Sequence, residues 1–258
     1  VVAALAIAAV LALFSTHLFE PQTGAGAFYR VISWAAMSAV AGGVLLFSIL
    51  ALVKGAMAFW ADTRSPLSGP ITLAAVWQAT KEVATMRYLG GGGDGCNDAD
   101  ASFSSARRHA HHAVMYGFLL CLAATSVATV FDHALGWVAP YSYTSLPVVL
   151  GTLGGVGMIL GCVGLMRIKL RTDPAPVSVK SLGADWALLV LLLLAALSGL
   201  ALLALRETNV MGLLLALHLG VILALFLLLP YGKFVHGIYR ATALLKAAVE
   251  RQRHHPIG

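Results

Sequence analysis

Two histidines, His218 and His236, lie within an otherwise apolar stretch, residues 209–239, NVMGLLLALHLGVILALFLLLPYGKFVHGIY. An imidazole inside a hydrophobic span is costly, and its usual justification is function. The two are eighteen residues apart. On one continuous helix that spacing is about five turns, so both rings share a face, roughly 27 Å apart along the axis. Neutral imidazole ligates haem iron. Two ligands on one face, one towards each side of a bilayer, suit two b-type haems stacked across it. Pro230 lies between them and is expected to kink the helix.

A second stretch carries the matching pattern. It opens at ARRHAHH, with His109, His111 and His112, and closes at VFDH, with His133. His133 follows His111 by 22 residues and His112 by 21, about 40° and 60° off a shared helical face. Either partner is compatible with one ligand face, and the choice stays open. His109 falls elsewhere on the helix. If the two stretches run antiparallel, His111 or His112 meets His236 at one end, and His133 meets His218 at the other. Haem sites in helical bundles are built from facing helices in this way. The expected metal ligands are His112 (or His111), His133, His218 and His236. Arg107 and Arg108 are placed to pair with haem propionates. His17 competes with His133, and Asp132 is placed to orient an imidazole.

The elements that position these groups follow from hydropathy. The 258 residues are 59% hydrophobic and 11% charged, with mean hydropathy +0.86. A soluble domain carries about 25% charge. The expected fold is an all-α integral membrane protein, one transmembrane cytochrome b-like domain over residues 1–258. Six spans are expected at residues 1–19, 28–60, 112–135, 146–166, 184–205 and 209–231. Residues 61–110 form a connector with an amphipathic helix near 70–88 and a Gly-rich loop, RYLGGGGDGCN, at 87–97. The glycines suit a docking loop for a partner rather than a dinucleotide fingerprint, since no strand precedes them. Of the 17 Lys and Arg, all but Arg30 and Arg206 fall on one side of this layout. The positive-inside rule then makes the connector and both termini cytoplasmic. That placement accounts for the net charge of +6 without nucleic acid. Cys96, Cys121 and Cys162 are scattered, with no CxxC, so no zinc or iron–sulfur site is encoded.

The stretches RYLGGGGDGCN, ARRHAHHAVMYGFLLC, LGWVAPY, SLPVVLGTLGG, LALRET and MGLLLALHLGVILALFLLLPYGKFVHGIYR together resemble the membrane part of the tricarballylate/citrate utilisation protein B family. They cover most of residues 87–240. The resemblance implies an electron-transfer subunit of the bacterial inner membrane. It implies fusion to a ferredoxin-like domain with two [4Fe–4S] clusters, an FAD-dependent dehydrogenase as donor and quinone as acceptor. The ferredoxin cysteines do not occur here, so that domain is expected in a portion outside this sequence or in a separate chain. A proton-relaying transporter and a haem-free membrane anchor are the alternatives.

Overall fold

The computed structural model describes residues 1–15, 17–63, 69–90, 96–97, 103–172 and 179–254. Arg64, and residues 91–95 of the Gly-rich loop, lie outside them. The chain is helical: α1 (Val2–Leu13), α2 (Ala27–Val31), α3 (Trp34–Asp62), α4 (Leu73–Ala84), α5 (Ala106–Leu135), α6 (Leu146–Arg171), α7 (Val179–Leu205), α8 (Met211–Leu228) and α9 (Val235–His254). One two-residue antiparallel ladder pairs Cys96–Asn97 with Phe103–Ser104 in the connector.

Five helices are long and apolar enough to cross a membrane: α3, α5, α6, the Gly183–Leu205 part of α7, and α8. The chain therefore has the helices of a multi-pass membrane protein. The first expected span differs. Its helix has 12 residues, about 18 Å of rise against a hydrocarbon core of about 30 Å. The second expected span is divided after α2, where Ile32 is extended and Ser33 caps α3, its Oγ accepting from Ala36 N.

Small residues set the packing. A Cβ on Gly117 of α5 would lie 2.6 Å from Met158 N of α6, and one on Gly161 of α6 would lie 2.6 Å from Val114 N. Backbone meets backbone along this seam, which only residues without side chains allow. Gly220 of α8 does the same against Ala4 and Ala8 of α1, while Gly212 meets Leu18. α1 therefore runs antiparallel to α8.

The expectation of one helix carrying both His218 and His236 is not met. α8 stops at Leu228 and α9 begins at Val235. Pro230 is the cause: it has no N–H to give the carbonyl four residues back, on Phe226. The break is held by tertiary contacts. Ser48 of α3, 1% exposed, sets its hydroxyl against both Val44 O (3.0 Å) and that Phe226 carbonyl. Lys233, inside the break, and Lys169 of α6 both reach Asp185 of α7, at 3.2 and 2.7 Å. His218 and His236 therefore lie on separate helices with no common face, because a turn re-aims everything after Leu228.

α9 lies on α3 and α4. Ala75 and Ala79 of α4 pack on Ala248 and Val249, with Trp60 and Leu245 alongside. Thr72 caps α4, its Oγ1 accepting from Ala75 N at 3.1 Å. Glu82 of α4 is 4% exposed and accepts two bonds from Arg251, at 2.9 and 3.1 Å. Burying that carboxylate is tolerable because the arginine fork meets it.

Candidate haem site

At the start of α5 the histidines separate by face. Phe118 packs on Phe234 at 5.3 Å and Phe226 at 6.4 Å between ring centroids, so this face of α5 meets the α8–α9 break. His111 lies two turns before Phe118, nearly in line with it. It sits within electrostatic range of His236, Arg107, Arg240 and His112. His112 is turned aside. Its Nε2 contacts the Ala84 carbonyl at 3.2 Å, and Tyr116, one turn on, donates its hydroxyl to the same oxygen at 2.8 Å. Arg108 donates Nε and Nη2 to the next carbonyl, Thr85 O, at 3.1 and 2.8 Å. Three residues of α5 thus satisfy the carbonyls that α4 leaves open at its C-terminus, an arrangement the helix dipole favours.

Hydrogen-bond chemistry then sorts the histidines as ligands. A carbonyl oxygen only accepts, so the ring nitrogen facing one must carry the proton. His236 donates Nδ1–H to Lys233 O, and His133 donates Nδ1–H to Thr129 O at 3.1 Å. Both keep an Nε2 lone pair. This is how protein ligands to metals are commonly oriented. His112 is the reverse: its Nε2 must donate to Ala84 O. His218 Nδ1 shares a hydrogen bond with Ser198 Oγ at 2.9 Å, and a hydroxyl can serve either tautomer of the ring. Of the two candidates left open by spacing, His111 lies within electrostatic range of His236, and His112 anchors the connector. His236 is exposed and His111 half-buried. Two imidazoles with Arg107 and Arg240 around them are a donor set that fits a bis-histidine haem with its acidic propionates.

The residues of the other expected pair, His218 and His133, have different neighbours. His218 lies against α7, with its Cε1 3.0 Å from where a Cβ on Gly199 would stand. Gly199 makes room for this ring. His133 lies against α3, its ring tilted 39° to that of Trp34 at 4.9 Å between centroids. Its neighbour Asp132 accepts from Trp34 Nε1 and stands 3.5 Å from His133 Nδ1. Among the described residues each of these rings is held by its own neighbours, His133 by Thr129 O and Trp34 and His218 by Ser198. His17 pairs instead with Glu20, at 2.6 Å on an exposed turn. No group of three or more His, Cys, Asp or Glu comes together among the described residues.

Sequence reasoning passed over three structural groups: the Glu82–Arg251 pair, the caps on Ala84 and Thr85, and Tyr29, which hydrogen-bonds Asp132. Each joins residues far apart in the chain. Only Glu82, an acid facing an alanine-rich side, left a trace in the pattern.

The profile of the family described as Citrate utilization protein B matches residues 1–257. A curated relative, "Citrate utilization protein B" of Escherichia coli, is 45% identical over 235 residues, 91% of this chain. The chain spans 61% of that relative's length. No solved structure matches. The chain belongs to the citrate utilization protein B family.

Proposed function

We propose that this chain serves citrate utilisation, the process named in its family's description, as the membrane electron-transfer part of an oxidoreductase system. In this reading one b-type haem is held by His111 and His236. The observation that carries it is that His111 lies within electrostatic range of His236, Arg107 and Arg240, while the Nδ1–H of His236 is given to Lys233 O and its Nε2 is left unprotonated. A bound b-type haem supplies one-electron redox chemistry at its iron. The chain's residues orient it: Lys233 O holds the His236 ring, the Phe118–Phe234 contact fixes the distance between the two elements, and the arginines balance the propionates. Electrons come from an FAD-dependent dehydrogenase through a ferredoxin-like domain with [4Fe–4S] clusters, and leave to quinone in the bacterial inner membrane.

The finer topology is part of the proposal. The division of Lys and Arg supports both termini and the connector on the cytoplasmic side. The antiparallel packing of α1 along α8 supports α1 as the first of six crossings. Cysteines introduced at 140 and 208 should react with a membrane-impermeant reagent from outside only; reaction from the cytoplasm would reverse the orientation.

The function is tested by a reduced-minus-oxidised visible spectrum of the purified chain. Soret and α-band differences typical of low-spin b-haem are expected. A colourless protein would refute the reading.

A further inference from the structure

Three loops meet around a cavity of about 420 Å³: residues 22–25 before α2, residues 140–142 between α5 and α6, and the Arg206–Glu207 turn between α7 and α8. The walls are tied to one another. Gly26 N donates to Ala139 O at 2.7 Å, and Arg206 Nη1 donates to Tyr141 O at 2.5 Å. Arg30 donates to Gln22 Oε1, Ala25 O and Thr23 O, at 2.7, 3.2 and 2.6 Å, which fixes the remaining wall. The cavity is therefore shaped before any ligand enters, and that lowers the cost of binding.

Arg206 comes directly after the last residue of α7, yet it is only 8% exposed. Its guanidinium lies over the Tyr143 ring, 3.8 Å from the centroid. Its Nε is buried without a hydrogen-bond partner, and Glu207 Oε1, at 4.0 Å, is too far to be one. A buried charged donor left unpaired is costly and calls for an acceptor. Further donors line the same space: the hydroxyls of Thr23 and Ser142, and the amide of Gln22, whose oxygen is taken by Arg30. Such a set suits the oxygens of a phosphate or carboxylate.

Glu207 narrows the choice. Its side chain is 69% exposed and borders the cavity, so it repels a free anion of two or more charges and attracts an ammonium. One guanidinium beside one carboxylate complements a ligand with one charge of each sign. Position points the same way. The membrane-crossing part of α7 ends at Leu205 and that of α8 begins at Met211, so the cavity lies where the apolar spans stop. Tyr141 and Tyr143 are then at headgroup level, where tyrosine is enriched.

We propose that this cavity binds the head of a zwitterionic phospholipid of the phosphoethanolamine type, with its phosphate oxygens at Arg206, Gln22 and Ser142 and its ammonium at Glu207. This binding needs only the membrane spans and is independent of the haem.

The test is native mass spectrometry of the purified full chain released from nanodiscs holding equal parts of phosphatidylethanolamine, phosphatidylcholine and phosphatidylglycerol. One retained phosphatidylethanolamine per chain is expected, about tenfold over either competitor. Phosphatidylcholine has the same charges but no N–H for Glu207, and phosphatidylglycerol has no cation. Glu207→Gln, at an exposed side chain, should bring phosphatidylethanolamine and phosphatidylglycerol within about twofold of each other. Arg206→Gln should lower retention of all three lipids about tenfold, and Arg206→Lys, which keeps the charge, should recover part of it. Circular dichroism should show unchanged helix content; if Arg206→Gln does not fold, the Glu207→Gln comparison decides. Equal retention of the three lipids by the parent, or an unchanged preference in Glu207→Gln, would overturn the site. So would displacement of the lipid by millimolar inorganic phosphate or succinate, which would make the cavity a site for free oxyanions.

Discussion

The two ends of the α5–α8 region began from the same motif, one histidine on each of two antiparallel helices, and finished differently. At the His236 end the chain breaks at Pro230 and turns, and His111 lies within electrostatic range of His236, Arg107 and Arg240. At the His218 end the helix is unbroken, and each ring is taken by a different neighbour: His218 by Ser198 and Gly199, His133 by Trp34 and Asp132. A shared pattern of residue types therefore does not imply a shared site. What differs is whether a nearer polar group claims the ring first. A buried imidazole bonds to whatever reaches it, since leaving a polar group unpaired in a membrane costs several kcal/mol.

This contrast can be broken or sharpened by substitution. The largest effect is expected where the scaffold common to both ends is forced apart. Gly117→Leu drives a side chain into the Met158 backbone and should destabilise the fold by about 3 kcal/mol or more, read as a lowered unfolding midpoint with both ends lost together. Glu82→Gln should cost about 2 kcal/mol by weakening the Arg251 pair. Its effect should stay at the His236 end, read as faster proteolysis of the connector with unchanged hydrogen exchange in α7. Ser48→Ala leaves the Phe226 carbonyl without its hydroxyl, at about 1–2 kcal/mol, and should loosen the α8–α9 break. Ser198→Ala should be mildest, about 1 kcal/mol, releasing His218 while leaving haem content unchanged. A haem loss on Ser198→Ala larger than on Ser48→Ala would invert the assignment of the two ends.

Legibility varied with the range of the interaction. The membrane helices α3, α5, α6, α7 and α8 follow from runs of apolar residues, whereas the α5–α6 seam depends on which glycines meet across it. Pro230 announced a disturbance, but a proline kinks or ends a helix according to what receives the freed carbonyl. Ser48, far away in the chain, decides that here. His111 and His112 were inseparable by spacing because both lie near one helical face. The Ala84 carbonyl, 28 residues before His112, separates them. Arg108 reads as a propionate partner by its position and is instead a cap on Thr85.

In the proposed haem site His111, rather than His112, is the partner of His236. Haem per chain, measured as the pyridine haemochrome of purified His111→Ala, His112→Ala and His236→Ala variants, tests this directly. One haem per chain is predicted for the parent, a fall of about tenfold or more for His111→Ala and for His236→Ala, and nearly full retention for His112→Ala. Haem lost with His112→Ala and kept with His111→Ala, or kept in all three, would contradict it.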